Sequence, residues 1–307
     1  MFRHLFTLIW NKKKQNALLI TEIFISFLVI FAVFTLIVYD VRNYLKPLGF
    51  DYSDVWVINY DNTLATNNGD SLANFYGSLK KTLLSMPEIR YVSYTADNFP
   101  YSQSTNSTGV KYSGSECQSD IYTVEESYKD LFNIPLMEGR WFGPADQTFA
   151  YRPIVINEAL KENLFHDIEP VGKQIGFSYD EKTKYKVVGV VNSVKAKGDY
   201  TIADPAYYIL ADTGSYRNFL NRILLKVTPG ADAAFEGRLY KTVANALANA
   251  NIEIEHLANK RTSSNYFSLV PMIISLIVAG FLIINVALGL FGVLWYNINK
   301  RKGEIGL

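Results

Sequence analysis

The residue types that do chemistry are sparse in this chain and badly spaced for it. The three histidines, His4, His166 and His256, are separated by most of the sequence, so no local zinc-binding spacing exists. The single cysteine, Cys117, sits in a polar stretch with no basic neighbour to lower its pKa and cannot form an internal disulfide. No G-x-S-x-G elbow and no G-x-x-x-x-G-K-[ST] phosphate loop occurs anywhere, so neither a serine hydrolase nor a nucleotide-binding domain is written here. Catalytic, metal and cofactor-binding residues are therefore expected to be none. What remains is charge placed against apolar runs. Lys300, Arg301 and Glu304 follow one such run directly, where they can anchor a helix end or dock an acidic and basic counterpart on another protein. Glu22 and Asn285 lie inside apolar runs; a snorkelling or functional carboxylate is the expectation for the first, and an interhelical hydrogen bond for the second.

The elements that position these charges are two membrane-length helices. Ala17–Tyr39 and Tyr266–Tyr296 are each longer than the roughly 20 residues that cross a hydrocarbon core. Lys12–Lys14 precede the first and Lys300–Lys302 follow the second, so the positive-inside rule puts both ends in the cytoplasm and Asp40–Asn265 outside it. The first run is too long for a signal-peptide core and lacks a small-residue cleavage site. Residues 1–16 place Phe2, Leu5, Phe6 and Ile9 at helical spacing, which predicts an amphipathic helix on the inner leaflet. Gly280, Gly289 and Gly292 give the second run small packing surfaces, and Pro271 is placed to kink it.

The outer segment, about 225 residues, is long enough to bury its own core. The chain carries 30 Lys and Arg against 29 Asp and Glu, a net charge of +1, so no basic field favours nucleic acid. Val55–Tyr60, a helix over Ser71–Ser85, and Arg90–Thr95 form one β-α-β unit. Arg222–Val227, a helix over Ala233–Ala248 capped by Asp232, and Ile252–His256 form another. Between them, over about 99–219, a β-rich subdomain is inserted. There Tyr101–Ser119 reads as an exposed loop or irregular strands, Tyr128–Leu136 and Asn157–Phe165 as short helices, and Tyr185–Asn192 and Ala206–Leu210 as strands. The expected class is an α+β membrane protein: helix 17–40 with a stalk to about 46, an extracytoplasmic domain over 47–265, helix 266–296, and a cytoplasmic loop over 297–307.

Several fragments in order carry a family resemblance. Glu138-Gly139-Arg140-Trp141-Phe142, Val155–Phe165 (VINEALKENLF), Glu169–Ile175 (EPVGKQI) and Tyr185–Val191 (YKVVGVV) together resemble the periplasmic core domain of MacB-like (FtsX-type) ABC transporter permeases. Gly289–Leu307, with its arginine-lysine cluster and Glu304-Ile305-Gly306, is similar to that family's second span and basic loop. The residues are consistent with structural roles: Asn157 caps the helix that follows, with Ala159, Leu160 and Leu164 inward; Gly139 takes a positive φ; Pro170 and Gly172 make a turn.

The resemblance implies a permease subunit of the bacterial inner membrane that moves its periplasmic domain at the expense of ATP hydrolysed by a separate ATPase. It implies as partners that ATPase, a second permease copy, membrane lipid, and a periplasmic or outer-membrane protein, with Lys300, Arg301 and Glu304 as the ATPase contact. Macrolides, peptides, lipoproteins and siderophore-like molecules all suit the family as cargo. Such permeases resemble four-span proteins, so a chain stopping at Leu307 reads as a fragment lacking two spans. The alternative is a two-span sensor with a ligand-binding outer domain.

Overall fold

The computed structural model describes residues 13–61, 68–143, 146, 151–177, 180–212, 214–215, 220–247 and 250–304. The amphipathic helix expected over 1–16 lies, up to residue 12, outside the described residues. The chain divides into two compact units, Met1–Leu45 with Tyr266–Leu307, and Lys46–Asn265.

In the first unit α1 covers Lys13–Tyr44, and residues 266–304 continue the second long helix. Stretches of both helices, over Ile20–Tyr44 and Leu257–Lys300, are long and apolar enough to cross a membrane. Phe24, Phe27, Phe31 and Phe34 stand exposed on α1, as a lipid-facing surface requires. The hydroxyls of Thr21 and Thr35 donate to the carbonyls of Ala17 and Phe31, each at 2.8 Å, so these polar groups are satisfied within their own helix. Asn285 behaves likewise. Its Nδ2 donates to Phe281 O at 2.9 Å, one turn back; the amide's second N–H and its oxygen remain able to bond a neighbouring helix.

In the second unit β1 (Val55–Tyr60), α2 (Gly69–Leu84) and β2 (Ile89–Thr95) form the first β-α-β, and β10 (Arg222–Val227), α5 (Ala233–Ala246) and β11 (Ile252–His256) the last. The strands interleave in the order β11-β1-β10-β2, each antiparallel to its neighbour, which is the split β-α-β arrangement of ferredoxin-like folds. The helices start where the sequence supplies caps: Asn68 Oδ1 accepts from Asp70 N at 2.9 Å, and Asp232 Oδ1 from Phe235 N at 2.8 Å. Their apolar stripes, Leu72, Tyr76, Leu79 and Leu83 on α2 and Phe235, Leu239 and Val243 on α5, bury against Trp56, Ile58, Tyr94, Ile223 and Leu225.

The inserted part holds β3 (Ser107–Tyr112), β4 (Ser115–Val124), the one-turn helix α3 (Tyr128–Leu131), β5 (Leu136–Gly139), β6 (Arg152–Asn157), α4 (Glu158–Phe165), β7 (Gln174–Phe177), β8 (Asp180–Val191) and β9 (Ala206–Leu210). Strands β4-β3-β7-β8-β6-β9 pair in succession, and the parallel β4–β9 ladder, from Asp120↔Ala206 to Val124↔Leu210, closes the ring. Two expectations change here. Of Tyr101–Ser119, expected as an exposed loop or irregular strands, residues 101–106 are a loop, and from Ser107 the chain is a regular hairpin whose two-residue turn, Ser113 (φ 47°) and Gly114 (φ 90°), has the left-handed pair that twisted hairpins prefer. The helix expected over Tyr128–Leu136 stops after one turn, because Ile134-Pro135 leads into β5, paired with β8.

A single ladder pair, Thr95↔Val124, joins the two sheets. A shared core does more, packing Val55, Val57 and Leu224 from one sheet with Val124, Val155, Val188 and Tyr208 from the other. The Lys46–Asn265 unit therefore holds together as one body. Nine residues of α6, which spans Leu257–Glu304, belong to it.

Candidate functional site

The most heavily bonded polar cluster of the outer unit lies where the chain comes in after α1 and leaves along α6. It is built on the loop after β8. Gly49 has φ 82°, and a Cβ there would stand 2.0 Å from Ser193 O, so only glycine lets the incoming chain lie this close to the loop. Lys195 N donates to Leu48 O at 3.0 Å. The Lys195 side chain, 3% exposed, then donates through Nζ to Lys46 O at 2.8 Å and to Asp199 O at 3.1 Å. Burial pushes its pKa down, against the nearby Asp199 charge, which pulls it up.

Asp199 is the centre of the cluster. Its side chain is 2% exposed. Oδ2 accepts from Arg261 Nε at 2.9 Å, Arg261 Nη2 at 2.5 Å and Asn265 Nδ2 at 3.0 Å; Oδ1 accepts from Tyr101 Oη at 2.9 Å. Burial opposes the charged form, but these hydrogen bonds outweigh it and hold the carboxyl below its ordinary range. Asn265 Oδ1 returns the contact by accepting from Asp199 N at 2.9 Å. Arg261 Nη1 donates to Tyr52 Oη at 2.7 Å, and the guanidinium stands 4.5 Å from the centre of that ring. One turn on, Ser264 Oγ donates to Lys197 O at 2.6 Å and accepts from Gln103 Nε2 at 2.7 Å.

The arrangement is a closed set of hydrogen bonds. Its carboxylate is fully occupied by donors, and no group of three or more His, Cys, Asp or Glu that could hold a metal exists among the described residues. What it can do is mechanical. One loop, 193–199, grips the chain that arrives from α1 through Lys46 and Leu48, and grips α6 through Arg261, Ser264 and Asn265. Two Arg261 donors on one oxygen of an almost fully buried carboxylate make a rigid, directional contact.

The residues singled out in the sequence fall elsewhere. Lys300 is exposed near the end of α6; Arg301 and Glu304 belong to the same helix, but their side chains lie outside the described residues. Cys117 is on β4, half-buried, with its thiol pushed up by burial, so it is a strand residue and not part of a loop. His256 stacks on Trp56 at 4.4 Å with Nε2 3.3 Å from Glu236, and His166 caps α4 with φ 51°. Glu22 is half-buried on α1.

The residues carrying the resemblance are structural. Gly139 has φ 66° and stands where a Cβ would meet Val188 O at 2.3 Å. Arg140 pairs with Asp146 through two bonds of 2.6 Å. Asn157 Oδ1 accepts from Leu160 N and Ala206 N, each at 2.9 Å; Leu160 and Leu164 point inward and Ala159 only partly so.

Sequence reasoning missed Asp199, Lys195 and Arg261. One signal was present: Lys260-Arg261 is a basic pair at the outer end of an apolar run, the end where the positive-inside rule does not expect it. Such a pair calls for an acidic partner, and Glu255 and Asp199 supply it.

Residues 17–239 match the family model of the MacB-like periplasmic core domain. Over 94 residues, 29% of this chain and 22% of the relative, the sequence is 33% identical to the uncharacterized ABC transporter permease YvrN of Bacillus subtilis. Over 226 residues, 70% of this chain and 33% of the relative, it is 23% identical to the macrolide export ATP-binding/permease protein MacB of Neisseria gonorrhoeae. These alignments span about a third or less of the relatives' length. Among solved structures, the periplasmic region of MacB from Actinobacillus actinomycetemcomitans superposes with a TM-score of 0.49 at 17% identity, covering 72% of this chain and 96% of that one.

Proposed function

Since this chain belongs to the MacB-like periplasmic core domain family, we propose that it is a permease component of an ABC transporter in a bacterial inner membrane, and that it works by mechanotransmission. In this reading a separate ABC ATPase docks at the cytoplasmic end, where Lys300, Arg301 and Glu304 follow the second span. Two permease copies assemble, and nucleotide-driven movement of the helices is delivered to the outer domain. Cargo belongs with the assembled complex.

The observation that carries the reading is the grip of one loop on both chain segments that lead to the membrane helices: Lys195 on Lys46, and Asp199 on Arg261 and Asn265. A helix is stiff along its axis. If α6 is displaced, Arg261 pulls on Asp199, and through Lys195 the same loop pulls on the chain after α1. Both spans would then move the outer domain together, as a transmitted stroke requires.

The test is association with, and control of, an ATPase. Full-length protein purified from its own membranes should bring an ABC ATPase with it. Glu304→Lys should leave membrane insertion intact while lowering transport-linked ATP hydrolysis by the complex, because reversing a charge at a contact repels where it once attracted. Unchanged complex formation and unchanged hydrolysis would confine that segment to anchoring. Absence of any co-purifying ATPase would remove the permease reading.

A further inference from the structure

The four-stranded sheet has an open side. β11 is the last strand in its order, paired with β1 on one edge and with no strand on the other among the described residues. Asn251 O accepts from Asp61 N, which sets the alternation: residues 251, 253 and 255 turn their backbone groups toward β1, so Ile252 and Ile254 turn theirs outward. A groove of about 500 Å³ opens at the Ile254–His256 end of this edge. It is lined by Ile254 and Glu255 of the strand, Glu236 of α5, Lys260 and Ser264 of α6, and Gln103. The rim at Tyr101–Gln103 is held in shape at a cost: both residues sit in the left-handed region, φ 65° and 63°, without being glycine.

Charge selects what could lie there. Glu236 flanks the edge on the helix-covered face of the sheet; Glu253 and Glu255 flank it on the other. Lys260 lies 2.8 Å from Glu255, Asn59 Nδ2 donates to Glu253 and Glu255, and His256 stands 3.3 Å from Glu236; three carboxylates against one lysine leave the edge acidic. Two copies of this strand would set glutamates opposite glutamates, so self-pairing is disfavoured. A strand carrying lysine or arginine would meet carboxylates on both faces.

We propose that the open edge of β11 is a docking site for a short cationic peptide, taken up from solution, which adds to the sheet as a further extended strand. Backbone hydrogen bonds to Ile254, in the groove, would hold it, and Glu236 in the groove with Glu253 next along the strand would select its charge. Because Gln103 and Ser264 wall the groove and bond to each other beside the Asp199–Arg261 contact, an occupied groove would brace the start of α6. The docking itself does not depend on the permease reading.

The test uses the full chain in a neutral detergent and fluorescence anisotropy with three labelled hexapeptides: alternating Lys and Val, alternating Glu and Val, and the Lys-Val peptide with its outward amides N-methylated. The Lys-Val peptide should bind saturably. The other two should bind about tenfold more weakly or worse, as loss of one or two ladder hydrogen bonds or of charge pairing requires. Ile254→Pro removes an outward N–H at an edge position where proline is tolerated, and should weaken binding similarly. Should that variant misfold, Glu236→Lys combined with Glu253→Lys, which reverses two charges and gives up the 3.3 Å contacts to His256 and Asn59, should do the same. No saturable binding, equal affinity for the N-methylated peptide, binding undiminished in the charge-reversed variant, or a chain dimer that occupies this edge would each overturn the proposal.

Discussion

Replacing Asp199 by Asn tests the clamp at its centre. The substitution keeps the shape of the side chain and removes its charge. At Oδ2 it either places an NH₂ group against the two Arg261 donors and the Asn265 amide, or leaves a neutral acceptor for them. Arg261 keeps 29% of its side chain in solvent, so water compensates part of the loss, whereas Asp199 itself is 2% exposed. Hydrogen bonds to a charged group contribute about 1.5–3 kcal/mol each before such compensation. A net cost of about 3 kcal/mol for the three together corresponds, in a folding unit of this size, to a Tm lower by roughly 6–12 °C. The assay is thermal unfolding of the full chain in detergent, read by tryptophan fluorescence, for wild type, Asp199→Asn, Arg261→Gln and the double variant. The double should be hardly worse than either single, giving a coupling of about 3 kcal/mol, the cost of one single. Acid adds a second readout. The native carboxyl lies below its unfolded value, so its contribution is complete above about pH 4 and is lost as pH falls through the folded pKa. Wild type should lose stability in that acid range by more than Asp199→Asn does. A Tm change under about 2 °C, or strictly additive singles, would refute a clamp centred on this carboxylate.

Three further outcomes follow from the structure. Gly139→Ala should be destabilising by about 2 kcal/mol or more, since a Cβ there meets Val188 O at 2.3 Å and φ is 66°; chemical denaturation measures it, and a neutral effect would mean the turn can shift freely. A soluble fragment covering 46–265 should unfold cooperatively and be indifferent to reductant, while one ending at Lys260, without Arg261 and Asn265, should melt lower; equal melting of the two would separate α6 from the outer fold. In a Cys117→Ser background, Thr105→Cys, on an exposed position, should react with an impermeant thiol reagent in intact spheroplasts, and reaction only after lysis would reverse the topology.

Much of the fold was legible because it is written in local signals. The strands Val55–Tyr60, Arg222–Val227 and Ile252–His256 have the alternation or apolar run that a half- or fully buried strand needs, and each forms over those residues. Asn157 and Asp232 cap the helices they precede because an oxygen-bearing side chain before an apolar stripe has little else to do. The insert was harder. Ser107–Ser119 has the composition of a loop, and only closure of the ring through β4 and β9 makes it a hairpin. β5 and β7 are four residues each, too short for a period to show. The clamp was not legible at all from spacing. Tyr52, Tyr101, Asp199 and Arg261 are brought together by tertiary folding across more than 200 residues, and no alternation or helical period links them.

The central claim is that this joint transmits movement of the membrane helices to the outer domain. The measurement is the distance between spin labels on Cys117 of two copies in the assembled complex, taken without nucleotide and with ATP under non-hydrolysing conditions. The account predicts a distance distribution that shifts with ATP in the wild type. In Arg261→Gln it predicts one that no longer responds, although ATP still binds. A wild-type distribution indifferent to nucleotide, or a full ATP response that survives Arg261→Gln, would contradict it.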